Sequence, residues 1–118
     1  CNSDVIMATK RAKMLSYPGC FTATECFTAL RHGADGLKLF PSFLVGPKGL
    51  EALRAVLPKT TPIYAVGGVG PENFSDWVGA GATGFGIGSS LYKPGMSVAD
   101  VRAKAQDITA AYDAVFDQ

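Results

Sequence analysis

A lysine inside an apolar run is the first residue whose surroundings suggest chemistry. Gly36-Leu37-Lys38-Leu39-Phe40, closed by Pro41, reads as a short strand buried on both faces, as in a parallel sheet. An ammonium group placed there loses its hydration, which favours the neutral amine. A neutral amine can add to a carbonyl and form a Schiff base. The same residues also fit a structural lysine that pairs with a carboxylate or snorkels to water. The remaining lysines fall on helices, loops or strand starts and read as solvated.

Two glycine-containing strand ends supply the second kind of chemistry. Gly67-Gly68 follows a strand read over 62–66, and Gly88-Ser89 closes one read over 84–88. Glycine lets backbone N–H groups approach a phosphate closely, and Ser89 adds a hydroxyl. Each pair alone fits an ordinary turn. Together, at the ends of adjacent strands and just after the strand of Lys38, they point to a phosphorylated ligand. No carboxylate stands at the end of a strand, so Lys38 lacks an evident acid/base partner. Asp35 precedes its strand and belongs at the opposite end of the sheet.

Several classes are set aside by composition. Net charge is +1, from 11 basic and 10 acidic residues, which leaves no electrostatic footprint for nucleic acid or an anionic membrane. No apolar run approaches the ~20 residues of a membrane helix. One histidine, His32, excludes a zinc site built from several histidines of this chain, and no metal or cofactor is expected. His32 sits near a helix end and is expected at the surface. Cys1, Cys20 and Cys26 form no C-x-x-C pair. They read as free thiols of a reducing, cytoplasmic compartment, with Cys20 and Cys26 packed as small apolar groups.

The elements that must position these residues follow from periodicity and caps. A helix is expected over 3–13, capped by Ser3, and a strand over 14–17 stopped by Pro18-Gly19. Thr22 and Glu25 form a capping box, opening a helix with Cys26, Phe27 and Leu30 that Gly33 ends. After the Lys38 strand come a loop over 42–46 and a helix with Leu50, Leu53, Val56 and Leu57 on one face. Pro71 starts a helix whose apolar side is Phe74, Trp77 and Val78, and Gly81 ends it. Ser89 to Leu91 form a turn. A last helix from Ser97 carries Val98, Val101, Ala105, Ile108, Tyr112 and Val115 as one continuous buried stripe. Four strand–helix units imply an α/β fold with a parallel sheet. A full (β/α)8 barrel uses about 31 residues per unit, so 118 residues supply half of one. An open doubly wound sheet is the alternative, with a bare edge on each side.

Four segments together resemble a known family. They are Pro18-Gly19-Cys20-Phe21-Thr22-Ala23-Thr24-Glu25, Leu37-Lys38-Leu39-Phe40-Pro41-Ser42, Ala65-Val66-Gly67-Gly68-Val69 and Gly86-Ile87-Gly88-Ser89. In order and spacing they look like the 2-keto-3-deoxy-6-phospho-sugar-acid aldolases, which are class I aldolases on (β/α)8 barrels and usually homotrimers. The resemblance covers essentially the whole chain. It implies that residues 1–118 are one partial domain, the C-terminal half of the barrel with strands five to eight. Strands one to four, with the family's catalytic glutamate on strand two, would lie outside this chain, which opens on Cys1 rather than a methionine. The isolated chain is then expected to be inactive.

The resemblance also assigns roles. Lys38 would form the imine, Phe40 would pack on the pyruvyl part of the substrate, and Pro18 would line the site. Gly67, Gly68, Gly88 and Ser89 would bind the phosphate. The residue before the paired glycines is typically Thr in phosphogluconate enzymes and Val in phosphogalactonate enzymes, so Val66 implies the galactonate epimer. Phe43-Leu44-Val45 is more apolar than the small residues expected in that loop. The implied partner is a small phosphorylated keto-sugar acid, handled by a homo-oligomer. A phosphogluconate aldolase and a non-catalytic phosphate-binding half-barrel are the alternatives.

Overall fold

Four strands pair in chain order, β1-β2-β3-β4, and every pairing is parallel. The computed structural model describes residues 1–117. Its elements are α1 (Ser3–Arg11), β1 (Gly19–Cys20), α2 (Ala23–Arg31), β2 (Leu37–Leu39), α3 (Ser42–Val56), β3 (Ile63–Val66), α4 (Phe74–Gly79), β4 (Gly84–Gly86) and α5 (Val98–Phe116). Lys38 lies opposite Gly19 and Tyr64, and Leu39 lies opposite Cys20 and Ala65.

Sequential order with helical crossovers winds the chain in one direction and puts its helices on one face of the sheet. Burial agrees. Leu37, Leu39, Ile63 and Ala65 are buried in one core with Ala29 and Leu50 from the helices and with Trp77 of α4. The alternate residues Lys38, Tyr64 and Val66 are only partly covered. A doubly wound sheet would have helices on both faces. The chain is therefore half of a barrel, with its helices outside and its inner face open.

Glycines make that inner face fit. A Cβ at Gly36 would lie 2.7 Å from the Tyr17 ring, and one at Gly84 would lie 2.7 Å from the Tyr64 ring. Each tyrosine thus lies over the backbone of a neighbouring strand. The two rings meet edge to face at 5.3 Å, a favourable arrangement for aromatic quadrupoles.

Local signals explain most helix ends. Thr22 and Glu25 form the expected capping box, and Ser97 and Asp100 form another at the start of α5. At the end of α2, Gly33 takes a left-handed φ of 92°, and its N–H donates to Leu30 O. His32 is the residue that closes α2, half-buried rather than at the surface, with Nδ1 2.8 Å from Thr28 O. Arg54 of α3 donates to the carbonyls of Thr61 and Gly81 and to Thr83 Oγ1, which ties α3 to the segments before β3 and β4.

Several expectations are corrected. The first strand is Gly19–Cys20, not 14–17, because the main-chain partners of β2 are the carbonyls of Pro18 and Cys20, which accept from Lys38 N–H and Phe40 N–H. Met14 and Leu15 are exposed instead. Asn2, not Ser3, caps α1, accepting from the N–H groups of Asp4 and Val5. The segment 42–46 is the first turn of α3, interrupted at Gly46, where φ is 70°. Residues 71–73 form a turn and α4 starts at Phe74, with Asn73 N–H donating to Gly70 O. The strand read over 84–88 stops at Gly86, where its partner β3 also ends.

The α5 stripe is not buried. Val98 is 77% exposed, and no residue of α5 is fully buried. α4 and the Phe85 ring contribute packing there, with Phe85 6.4 Å from the Tyr112 ring and 6.1 Å from the Phe116 ring. The spacing makes one apolar stripe, but spacing does not say whether a second surface exists to cover it.

At the end opposite the strand exits, Lys10 Nζ lies 2.6 Å from Asp35 Oδ2, and Ser16 N–H donates to the same oxygen. Asp35 thus joins α1 to the entry of β2, at the end where the sequence places it. The Lys10 ammonium, followed by the Ser16 N–H, holds the Asp35 carboxyl below its ordinary value of 3.8. A carboxyl depressed in the folded state stabilises the fold above its unfolded value and loses that contribution as pH falls through the folded one. In urea titrations, Asp35→Asn is expected to lower the midpoint at about pH 7 and to differ little from the parent at about pH 2. An equal deficit at both values would contradict the assignment.

Candidate functional site

The C-terminal ends of β2, β3 and β4 open onto one cleft of about 320 Å³. Phe40, Val66, Gly67, Gly68, Gly88 and Ser89 all line it. Six residues singled out from sequence thus converge from three separate strand exits. Parallel strands bring their exits to one rim, and this is why ligands of such sheets bind there.

The glycines of the rim have specific reasons. Gly67 and Gly68 have φ of 91° and 71°, a left-handed pair that L side chains rarely adopt. A Cβ on Gly68 would lie 2.7 Å from Phe43 Cβ, and one on Gly86 would lie 2.6 Å from Val66 Cγ2. The bare backbone lets Phe43 lean over the loop and Val66 over the end of β4. Over Gly88 a Cβ would meet nothing within 4 Å, so its backbone faces open space. Asn73 fastens the loop from the far side: Nδ2 donates to Gly68 O at 3.0 Å and Oδ1 accepts from Gly70 N–H at 3.1 Å.

Lys38 and Pro18 do not line this cleft. Lys38 stands on the inner face of β2, with its Nζ 4.7 Å from the centre of the Phe40 ring. That places a cation over an aromatic face, and Phe40 connects it to the rim. The expectation of a strand buried on both faces is corrected here: Leu37 and Leu39 are buried, but Lys38 between them is partly exposed. The inner face, open among the described residues, leaves the amine in reach of water. Pro18 is next to Lys38 through its carbonyl, which accepts from Lys38 N–H at 3.0 Å. Pro18 itself lines a separate cleft beside α1, together with Val5 and Tyr17.

Other residues were not singled out from sequence. Glu72 lines the cleft, so a carboxylate does stand at a strand exit. Its carboxylate covers the Gly70 backbone, where a Cβ would come within 2.6 Å of Oε2. Its position in Pro71-Glu72-Asn73, read as a helix start, disguised it as a first-turn acid. Ser42 is the other omission. It is 0% exposed, and its hydroxyl donates to Leu39 O at 2.7 Å and accepts from Val66 N–H at 2.9 Å. Polar type and a preceding proline suggested a loop, and no sequence signal showed that the hydroxyl was enclosed.

The cysteines lie apart from the rim chemistry. Cys20 and Cys26 are buried and free, as expected, and Cys1 is exposed. A hydrogen bond with Cys26 and then burial push the Cys20 thiol well above its ordinary range, so it stays protonated. Among the described residues no group of three or more His, Cys, Asp or Glu is placed to hold a metal ion. No helix among them is long and apolar enough to cross a membrane.

Residues 1–109 match the family model described as KDPG and KHG aldolase. The chain belongs to the KDPG and KHG aldolase family. A probable 2-dehydro-3-deoxy-6-phosphogalactonate aldolase of Rhizobium meliloti (strain 1021) is 52% identical over 112 residues, covering 95% of this chain and 53% of that protein. A 2-dehydro-3-deoxy-6-phosphogalactonate aldolase of Escherichia coli (strain K12) is 48% identical over 111 residues, covering 94% of this chain and 54% of that one. A solved structure described as native KDPGal superposes with a TM-score of 0.97 at 45% identity, over 100% of this chain and 57% of that one. The chain spans about half the length of the curated relatives it matches. Half the length of these aldolases agrees with the four strands, half of an eight-stranded barrel.

The Gly68 position gives a direct test of the rim. Gly68→Ala is expected to cost about 1–3 kcal/mol, from the left-handed backbone and the contact with Phe43. Inorganic phosphate binding, measured by calorimetry on the full-length protein, should weaken in the same variant. Unchanged stability and unchanged phosphate affinity would show that the loop is not built as described.

Proposed function

We propose that the protein carrying this chain is a Schiff-base aldolase that cleaves 2-dehydro-3-deoxy-6-phosphogalactonate to pyruvate and D-glyceraldehyde 3-phosphate. The observation that carries this reading is the placement of Lys38. It is a lysine on the open inner face of β2, one aromatic ring away from a glycine-lined cleft. The two relatives carrying this substrate in their names, at 52% and 48% identity, support the choice of reaction.

The chemistry follows from an amine and a 2-keto acid. The Lys38 amine adds to the C2 carbonyl and water leaves, giving an iminium. The iminium accepts the electron pair of the C3–C4 bond as the C4 hydroxyl loses its proton. D-glyceraldehyde 3-phosphate departs and an enamine remains. Protonation at C3 and hydrolysis release pyruvate and return the amine. The acid/base for these proton transfers is the strand-two glutamate that the family resemblance places outside this chain. Phe40 packs on the pyruvyl group, and Pro18 lines the site once the rest of the barrel is present. Gly67, Gly68, Gly88 and Ser89 hold the phosphate with backbone N–H groups and a hydroxyl. Val66, at the rim beside the glycines, faces the C4 stereocentre.

The protein is further proposed to work as a cytoplasmic homotrimer, as the resemblance implies. Phe43 and Leu44, each 64% exposed at the rim, support association through that face. One observation favours a second reading: Lys38 lies outside the lining of the cleft itself, as in a module that binds phosphate without forming an imine.

Borohydride reduction of full-length protein with pyruvate separates these readings. A reduced adduct is expected on Lys38 by mass spectrometry and is expected to vanish in Lys38→Met. No adduct in the parent would overturn the aldolase mechanism and leave the phosphate-binding module. Turnover of the two C4 epimers then tests the substrate. The galactonate epimer is expected to be preferred, and preference for the gluconate epimer would replace the substrate while leaving the family unchanged.

A further inference from the structure

We infer that Ser42 is a positioning residue that sets the spacing between the imine-forming strand and the phosphate loop. The inference rests on the reading of Lys38 and the glycine cleft given above. Lys38 belongs to β2, whereas Gly67 and Gly68 follow β3. The paired residues of these strands end at Leu39 and Ala65, below the rim where a substrate must reach both.

Beyond that point the first turn of α3 holds the two strand ends together. The Ser42 hydroxyl bridges Leu39 O, one residue after Lys38, and Val66 N–H, one residue before Gly67. Both bonds use the same oxygen, and the residue is 0% exposed. The next residue adds a third link, with Phe43 N–H donating to Gly67 O at 3.1 Å. Phe43 Cβ then occupies the space that a side chain on Gly68 would fill. From the other side Asn73 fixes Gly68 and Gly70. Among these links, Ser42 is the side chain that touches both strands.

A substrate with its reacting carbonyl and its phosphate at opposite ends is sensitive to the distance between the two strand exits. Pyruvate is not, because it carries no phosphate. Loss of the hydroxyl leaves Leu39 O and Val66 N–H without this partner in an enclosed place. The strand ends then relax or admit water, and the phosphate loop shifts relative to Lys38. A small displacement of this kind costs catalysis without removing any reacting group.

The test uses full-length protein with Ser42→Ala and Ser42→Thr. In Ser42→Ala the KM for the phosphorylated substrate is expected to rise about tenfold, as for one lost bridging group. Borohydride trapping of pyruvate on Lys38 should remain at the parent yield, which shows that the variant is folded and its amine competent. Ser42→Thr keeps the hydroxyl and should recover most of the KM. The proposal is overturned by an unchanged KM, by trapping that declines in step with turnover, or by a Thr variant that traps pyruvate fully yet matches Ala in KM. Should the parent trap no pyruvate, the imine reading fails by itself. The affinity for inorganic phosphate then decides Ser42: weakening in Ser42→Ala sustains its role at the loop, and equal affinity ends it.

Discussion

A single hydroxyl at the rim carries a disproportionate part of the architecture. The strands are two to four residues long, so their ladders provide few rungs at the strand exits. The Ser42 hydroxyl extends the connection between β2 and β3 past the last paired residues. An apolar residue there would leave the Leu39 carbonyl and the Val66 amide without this partner in an enclosed place, unless the strand ends relax or admit water. A ligand that spans from Lys38 to the glycine loop depends on the two exits staying at this separation.

The same economy governs the two faces of the sheet. The helix side follows ordinary core packing, with Leu37, Leu39, Ile63 and Ala65 against helical residues. The inner side is built by subtraction. Gly36, Gly84 and Gly86 lack side chains where Tyr17, Tyr64 and Val66 lie. Large residues on one strand over glycine on the next is a way to fill a narrow interior with few side chains. It also explains why Lys38 is only partly covered: Gly19 opposite it contributes no side chain, and the Phe40 ring centre lies 4.7 Å from its Nζ.

The rim is fastened at two points with different chemistry. On the β2 side the links are a hydroxyl and a main-chain amide from the first turn of α3. On the α4 side Asn73 offers both a donor and an acceptor to the loop. Between them, Gly67 and Gly68 hold a backbone conformation open to few residues. A loop pinned at both ends presents its N–H groups in one orientation, which is what an anion site needs. Glu72 beside it adds a negative charge, which disfavours anions not held by the full set of contacts.

Much of this was legible in the residues. Helix caps are local: Thr22 with Glu25 and Ser97 with Asp100 satisfy the first amides of their own helices, and the pattern shows in the sequence. The parallel α/β class followed from strand–helix alternation, and the paired glycines marked the rim because their type permits a left-handed backbone, whereas Lys38, expected in a strand buried on both faces, stands partly exposed on the inner face. Three things were decided only in the folded chain. The first strand lay beyond Pro18, because a two-residue strand is defined by its partner's hydrogen bonds and not by its own composition. The α5 stripe stayed exposed, because apolar spacing describes one surface while burial needs two. Glu72 joined the cleft and Ser42 bridged the ends of β2 and β3, because the convergence of strand exits brings together groups from separate elements. Sequence by itself determined which residues could do the chemistry; tertiary structure decided which could act on one molecule, since distance and enclosure arise only when the strands are side by side.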